Sequence, residues 1–317
     1  MTTAAPAKEP VLATPPARGG SWRRSRRRRD QLVAALFLAI PLAIFLVFVF
    51  VPLARTLWLS VHATDMFGRP RQFVGLEQYA RMFSDPGLRK VLLTTLLFAV
   101  LTVVPSISVG LVLALSLQAK TRKIGVFRTL MATPFAFSAA AAAVLFDIFY
   151  SPSVGVFNGI FDRLGIAQIG WLTDPRWALL SLAIVIVWRD LAYCMLVLSA
   201  GLGAVPTEVT EAAALDGAGQ WRMLRSIILP LITPSMFFLL VICTINSLQT
   251  FGEINILTQG GPDGATTTLV YSLYQSAFAF GASDYGMAST KAVVLMSLVL
   301  IVTVVQFRFL QKKVFYG

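Results

Sequence analysis

Charge is scarce in this chain. Only 13% of its 317 residues are Asp, Glu, Lys or Arg, about half the roughly 25% usual in a soluble globular domain. Histidine occurs once, at His62, and cysteine twice, at Cys194 and Cys243. A lone histidine in a polar stretch reads as a surface residue and gives no basis for a constellation built on imidazole. The cysteines lie in separate apolar segments without a CxxC pair or a histidine nearby. They support neither a metal site nor a disulfide framework, and both read as small apolar fillers. No Gly-Lys dipeptide occurs, so there is no P-loop of the GxxxxGK[ST] type, and any ATP this protein depends on is hydrolysed by another chain.

What remains is apolar. Hydrophobic residues make up 56% of the chain and mean hydropathy is +0.74, values of a membrane protein. Six long apolar runs, at roughly 31 to 53, 91 to 117, 127 to 150, 177 to 200, 228 to 251 and 286 to 310, are each near the ~20 residues that a bilayer requires. The expected fold is an all-α polytopic membrane protein with six transmembrane helices. Ahead of the first run, Thr2 to Gly20 is rich in Ala, Pro and Gly without apolar periodicity and reads as disordered. Residues 1–30 are therefore expected to be a disordered basic tail, and 31–317 the membrane domain. The first run exceeds the 7 to 15 residues of a signal-peptide core and reads as a retained helix.

Much of the net charge of +12 sits in Arg23, Arg24, Arg26, Arg27, Arg28 and Arg29, directly before the first run. That placement signals membrane orientation, not a groove for nucleic acid. With the N-terminus inside, the segments on the cytoplasmic side carry 17 Lys and Arg against 8 on the other side, so both termini are expected in the cytoplasm. Arg189 and Lys291 complete the set inside or at the edge of spans, where charge is costly and by default functional.

Between the fourth and fifth runs, in the loop 201–229, lies Pro206-Thr-Glu-Val-Thr-Glu-Ala-Ala-Ala-Leu-Asp-Gly-Ala-Gly-Gln-Trp221. Pro206 suits a first helical turn, the Glu/Ala run favours helix, and Gly217 can take the left-handed conformation that ends it. The pattern predicts a short helix, a glycine turn and a second helix entering the membrane. A short amphipathic helix of no special role would satisfy the same composition.

In the fourth run, Arg189, Asp190 and Tyr193 follow Trp188; in the fifth, Cys243, Asn246, Ser247, Thr250 and Glu253 recur at three- and four-residue steps. Such a stripe is expensive against lipid and should face protein or water. It fits a substrate path, an Arg189-Asp190 pair beside a water-filled cavity, or interhelical glue.

The spacing of the loop is more particular. Glu211-Ala212-Ala213, Gly217 and Ile227-x-Leu229-Pro230 resemble the EAA motif of the permease subunits of ABC importers. Phe73-Val-Gly-Leu-Glu-Gln-Tyr79, Phe127-Arg-Thr-Leu-Met-Ala-Thr-Pro134 and Thr258-Gln-Gly-Gly-Pro262 look like the sugar-type importers related to the maltose permease. Within that group Phe67-Gly68, Gln72-Phe-Val-Gly75, Ala265-Thr-Thr-Thr-Leu-Val-Tyr271, Val293-Val-Leu-Met296 and Thr303-Val-Val-Gln-Phe-Arg308 are similar to the A subunit of glycerol-3-phosphate (Ugp) importers.

The resemblance implies a type I ABC importer permease fold in a bacterial inner membrane. It implies a loop in which Glu211, Ala212, Ala213, Asp216 and Gly217 couple to an ATPase, with Glu211 as the anchor and Gly217 as the turn. Implied partners are a second EAA-bearing permease, two ATPase subunits, an external substrate-binding protein and membrane lipid, with no nucleic acid. The chain is not expected to be an enzyme or to hold a cofactor, ATP and Mg being on the ATPase. Substrates would be glycerol-3-phosphate or glycerophosphodiesters such as glycerophosphocholine. A substrate path of Arg189, Asp190, Tyr193, Cys243, Asn246, Ser247, Thr250, Glu253 and Lys291 would follow, with Arg189 meeting phosphate and Lys291 second. Tyr193 or Trp188 would offer a cation-π face, and Glu253 or Asp190 would answer a choline-like cation. An acid and a cysteine stand where the maltose permease has other residues, so the resemblance implies the same cavity but not the same ligand. An importer of neutral oligosaccharides remains open, since related subunits handle such sugars. So does a proton-coupled secondary transporter relaying through Asp147, Asp190 or Glu253, although the paired repeats typical of that class are lacking. A scaffold or receptor subunit would not require the polar stripe.

Overall fold

Apolar length decides where helices run, and short polar caps decide where they start. The computed structural model describes residues 20–118, 124–278 and 283–310, and the chain divides into two compact units, residues 1–55 and 56–317. The described part of the first unit is helical: α1 (Gly20–Phe45) continues through Leu46–Phe50 into α2 (Val51–Leu59), whose last residues open the second unit, and Val33–Leu59 has a mean hydropathy of 3.0. Residues 20–30, expected in the disordered tail, are helical here. The cause is local: no proline interrupts the segment, Arg is a good helix former, and the helix is already nucleated downstream. Residues 1–19 lie outside the described residues.

After the end of α2 the second unit forms a hairpin that hydropathy did not announce. Strands β1 (His62–Thr64) and β2 (Pro70–Phe73) pair antiparallel around a turn in which Asp65 Oδ1 accepts from the amides of Phe67 and Arg69, at 3.0 and 2.9 Å. His62, expected at the surface, is buried. Its ring stacks on Trp58 with centroids 4.3 Å apart, its Nδ1 lies 2.7 Å from the Trp58 carbonyl, and its carbonyl accepts from Gln78 at 2.8 Å.

Helix α3 (Glu77–Ser84) leads into the long α4 (Pro86–Ser116), and α5 (Ile124–Ala132) into α6 (Ala139–Tyr150) and α7 (Val156–Arg163). Then come α8 (Pro175–Gly203), α9 (Thr207–Leu215), α10 (Gln220–Met223), α11 (Leu229–Leu231), α12 (Thr233–Leu248), α13 (Gly252–Leu257), α14 (Leu269–Phe278) and α15 (Tyr285–Val305). Aspartates cap three of the long helices: Asp85 accepts from the Gly87 amide at 2.8 Å, Asp174 from Arg176 at 2.9 Å and Asp284 from Met287 at 2.9 Å. Proline stands at the first position of α4 and α8, where its missing amide proton costs nothing.

Among the described residues, five helices are long and apolar enough to cross a membrane, and a sixth span results if one bent pair is counted together. The bent pair is the third apolar run. It breaks into Ile124–Ala136 and Ala139–Tyr150 at an angle of 103°. Pro134 cannot continue the hydrogen-bond ladder, and Ser138 starts a new helix by accepting from the Ala141 amide at 3.2 Å.

Helices α4 and α8 pack closely because Gly110 has no side chain. A Cβ there would stand 2.6 Å from Cys194 Cβ, a separation that non-bonded carbons do not tolerate. Two apolar clusters flank this crossing. One gathers Phe98, Phe146, Tyr150, Leu182, Ile186 and Ile254; the other gathers Val103, Ala114, Cys194, Leu198, Leu239 and Cys243.

Candidate functional site

Between α8, α12 and the bend of the third run lies a cavity of about 430 Å³, lined by Phe135, Phe137, Ala139, Arg189, Asp190, Tyr193, Ile242, Cys243 and Asn246. Five of these, Arg189, Asp190, Tyr193, Cys243 and Asn246, belong to the polar set expected from sequence. The two helices carry them to one place because Arg189, Asp190 and Tyr193 share a face of α8 while Cys243 and Asn246 share a face of α12.

The charged groups of the site meet one another. Arg189 Nη1 donates to Glu253 Oε1, and Nε and Nη2 each stand 3.4 Å from Asp190 Oδ1. The Glu253 side chain is 3% exposed, that of Arg189 23% and that of Asp190 18%. One guanidinium thus stands among two carboxylates. Its Nη1 corner is tied to the buried one, and its Nε/Nη2 edge lies at long range from the other.

The remaining members of the stripe serve the frame. Ser247 Oγ lies 2.7 Å from Thr102 Oγ1, joining α12 to α4, and the Thr250 hydroxyl donates to the Asn246 carbonyl at 3.1 Å. Lys291 stands apart from the cavity. Its ammonium donates to Ser272 Oγ at 2.8 Å, the Ser272 carbonyl at 3.3 Å and Ser276 Oγ at 2.7 Å, beside a separate recess of about 300 Å³ that Arg81, Asp85 and Gln275 also line. Trp188 packs edge-on against Phe137 and Phe146, at 5.4 and 5.3 Å between centroids.

Sequence reasoning missed Phe135, Phe137, Ala139 and Ile242 on the cavity wall. The first three come from the bend, and the signal that marks it is Pro134 followed by the capping Ser138. Phe135 is 61% exposed and lies nearly parallel to Tyr193, with centroids 6.5 Å apart. The two cysteines, read as unrelated, face each other with Sγ atoms 3.8 Å apart, because α8 and α12 cross there.

The loop after α8 has the geometry its sequence suggests. Helix α9 ends at Gly217, whose φ is +77°. The Gly217 amide donates to the Ala214 carbonyl at 3.1 Å and the Ala218 amide to Ala213 at 3.0 Å, the bond pair of a Schellman stop. Pro206 precedes the first turn instead of standing within it. No side chain of α9 is buried, Glu211 and Asp216 are exposed, and Leu215 and Trp221 are 90% and 73% exposed on either side of the turn.

Six apolar helical runs, a polar cavity with an internal ion pair and an exposed helix-turn-helix define a multi-pass membrane transport component. The chain belongs to the family described as "Binding-protein-dependent transport system inner membrane component", which matches residues 19–315. Among its relatives is the sn-glycerol-3-phosphate transport system permease protein UgpA of Agrobacterium fabrum (strain C58), 35% identical over 291 residues, which covers 91% of this chain and 98% of the relative. The protein of the same name from Yersinia pseudotuberculosis serotype I (strain IP32953) is 36% identical over 276 residues, covering 87% and 93%. The fold is that of a chain in a bacterial alginate ABC transporter solved in complex with an alginate pentasaccharide-bound periplasmic protein, with a TM-score of 0.79 at 22% identity over 92% of this chain and 98% of that one. A second alginate importer structure superposes with a TM-score of 0.75 at 24% identity, over 90% and 99%.

Proposed function

We propose that this chain is one of two related permeases of an ABC importer for glycerol-3-phosphate or glycerophosphodiesters such as glycerophosphocholine. Its relatives of that name, 35–36% identical over nearly their whole length, carry the reading. An external binding protein delivers the ligand, and two ATPase subunits, holding ATP and Mg, drive the cycle. Both termini and the α9–α10 loop are cytoplasmic, as the 17 to 8 distribution of Lys and Arg favours. Glu211 and its neighbours Ala212, Ala213 and Asp216 meet the ATPase. Gly217 fixes the angle between α9 and the chain that re-enters the membrane, so that nucleotide-driven closure is passed on as rigid-body rotation. Leu215 and Trp221 are the apolar groups that such a partner would cover.

In the cavity, Arg189 is the group to meet phosphate. Its Nε/Nη2 edge has the parallel geometry that binds a phosphate oxygen pair, and the 3.4 Å contacts to Asp190 are long enough to yield to it. Glu253 keeps the guanidinium oriented meanwhile. The carboxylate excess favours a ligand that also carries a cation, and the aromatic faces of Tyr193 and Phe135 suit a quaternary ammonium. Lys291 belongs to a separate recess and is not assigned to this contact.

The test is ATP hydrolysis by the reconstituted complex against glycerol-3-phosphate, glycerophosphocholine, other glycerophosphodiesters and disaccharides. Stimulation by the phosphate esters is expected. Stimulation by disaccharides alone would assign the chain to neutral sugars, and uptake without any ATPase, driven by a proton gradient, would overturn the class of mechanism.

A further inference from the structure

The cysteines are the one reactive pair that the transport reading leaves unused. Cys194 on α8 and Cys243 on α12 are both free and buried, with their sulfurs 3.8 Å apart. A disulfide requires about 2.0 Å, so the two facing sulfurs must draw closer for the bond to form. Cys243 forms part of the cavity wall, whereas Cys194 lies behind it against Gly110. One thiol is therefore reachable from the cavity, and the second is placed to resolve whatever the first receives.

The helices concerned are also the ones that flank the α9–α10 loop, since α8 ends four residues before α9 and α12 follows α11. A covalent link between them would fix the cavity wall on the side of Asp190 and Tyr193 and tie together the two stems of the loop.

We propose that Cys194 and Cys243 are a redox-modification site, a dithiol that a small disulfide oxidant entering the cavity converts to an interhelical disulfide, slowing transport. The Cys243 thiolate attacks one sulfur of the oxidant, whose S–S bond breaks and whose other half leaves and takes up a proton as a thiol. The Cys194 thiolate then attacks Cys243 Sγ in the mixed disulfide. The second half of the oxidant leaves as a thiol, and the Cys194–Cys243 bond is formed. Two protein thiols are oxidised and one disulfide is reduced to two thiols. The direction of attack follows from access, because thiol exchange depends on reaching the sulfur as well as on its ionisation.

The site stands on the thiol geometry alone, and only its effect on transport rests on the proposed function. The experiment treats the purified complex in nanodiscs with 2-hydroxyethyl disulfide, maps the peptides by mass spectrometry without reduction, and measures ATP hydrolysis in the presence of ligand before and after dithiothreitol. The expected result is a Cys194–Cys243 cross-linked peptide, a severalfold fall in stimulated hydrolysis, and recovery on reduction. Cys194→Ser, which leaves the cavity wall intact, should retain stimulation, form no cross-link and resist the oxidant. Cys194→Ala provides the same test if the serine variant fails to assemble. Absence of the cross-link in the folded complex, or a cross-linked complex that works at the untreated rate, would overturn the proposal. A complex without ligand stimulation before treatment would count against the proposed substrate, while the cross-link would still report on the dithiol.

Discussion

Arg189 and Glu253 are 64 positions apart in sequence and meet across α8 and α13. Removing the arginine leaves a carboxylate 3% exposed without its counter-charge, a change that costs about 3–5 kcal/mol when a buried pair is broken from one side. Arg189→Ala should therefore lower the yield of folded, assembled complex, and adding Glu253→Gln should restore the yield. Ligand-stimulated ATP hydrolysis should stay low in the double variant, because the phosphate contact is still missing. Asp190→Asn, by contrast, should leave assembly intact, given its 3.4 Å contacts. Size-exclusion profiles and hydrolysis rates of the four chains check this, and normal stimulation in the double variant would remove Arg189 from the path. The sequence suggested Asp190 as the partner because adjacency is visible and a tertiary crossing is not. For the same reason it offered no hint that Cys194 and Cys243 face each other.

At the scale of elements, local chemistry was the most legible. The stop of α9 needs only a residue that accepts positive φ followed by a free amide, and Gly217-Ala218 supplies both. Proline at 217 would be held near φ −65° against the observed +77° and would lose the amide bonded to Ala214. Gly217→Pro should abolish uptake and assembly with the ATPase while the external binding protein captures ligand as before, as pull-down and uptake assays would reveal. The bend of the third run was not legible, since a proline in a 24-residue apolar stretch is equally compatible with a kinked single helix. The hairpin escaped because hydropathy windows do not register two short strands. Its turn predicts a pH response outside the membrane. The Arg69 amide, opposed by desolvation and aided by the Phe67 amide and the nearby charges of Arg71 and Arg69, holds the Asp65 carboxyl below the usual carboxylate range. A carboxyl whose pKa falls on folding stabilises the turn above its unfolded pKa, and that contribution is lost as pH falls through the folded one. Protection of the Phe67 and Arg69 amides against exchange, taken relative to the intrinsic rate at each pH, should fall on acidification below the ordinary aspartate range, and Asp65→Asn should flatten the change.

For the molecule as a whole, six apolar runs were readable because bilayer thickness imposes their length, and the family was readable because its loop motif is contiguous. The cavity was readable only in part, since its polar wall follows helical periodicity while its aromatic wall depends on the bend. Orientation remains testable directly. Reporter fusions after Lys120 and after Gln220 should report cytoplasm, and fusions after Arg163 and after Gly264 the opposite side, from the charge distribution. A fusion after Gln220 reporting the outside would separate the α9–α10 loop from any ATPase.

The aspartate caps of α4, α8 and α15 have a directional consequence. Counting the bent third run as one span makes these helices the second, fourth and sixth, which would put their capped starts on one side of the membrane. At the far ends of α4 and α8 the C-cap residues bond through their backbone amides, while α15 continues into residues 306–310. The end of α8 without a side-chain cap is the one that delivers the chain to α9. Amide exchange in α8 should accordingly be faster at its Gly203 end than at the start capped by Asp174.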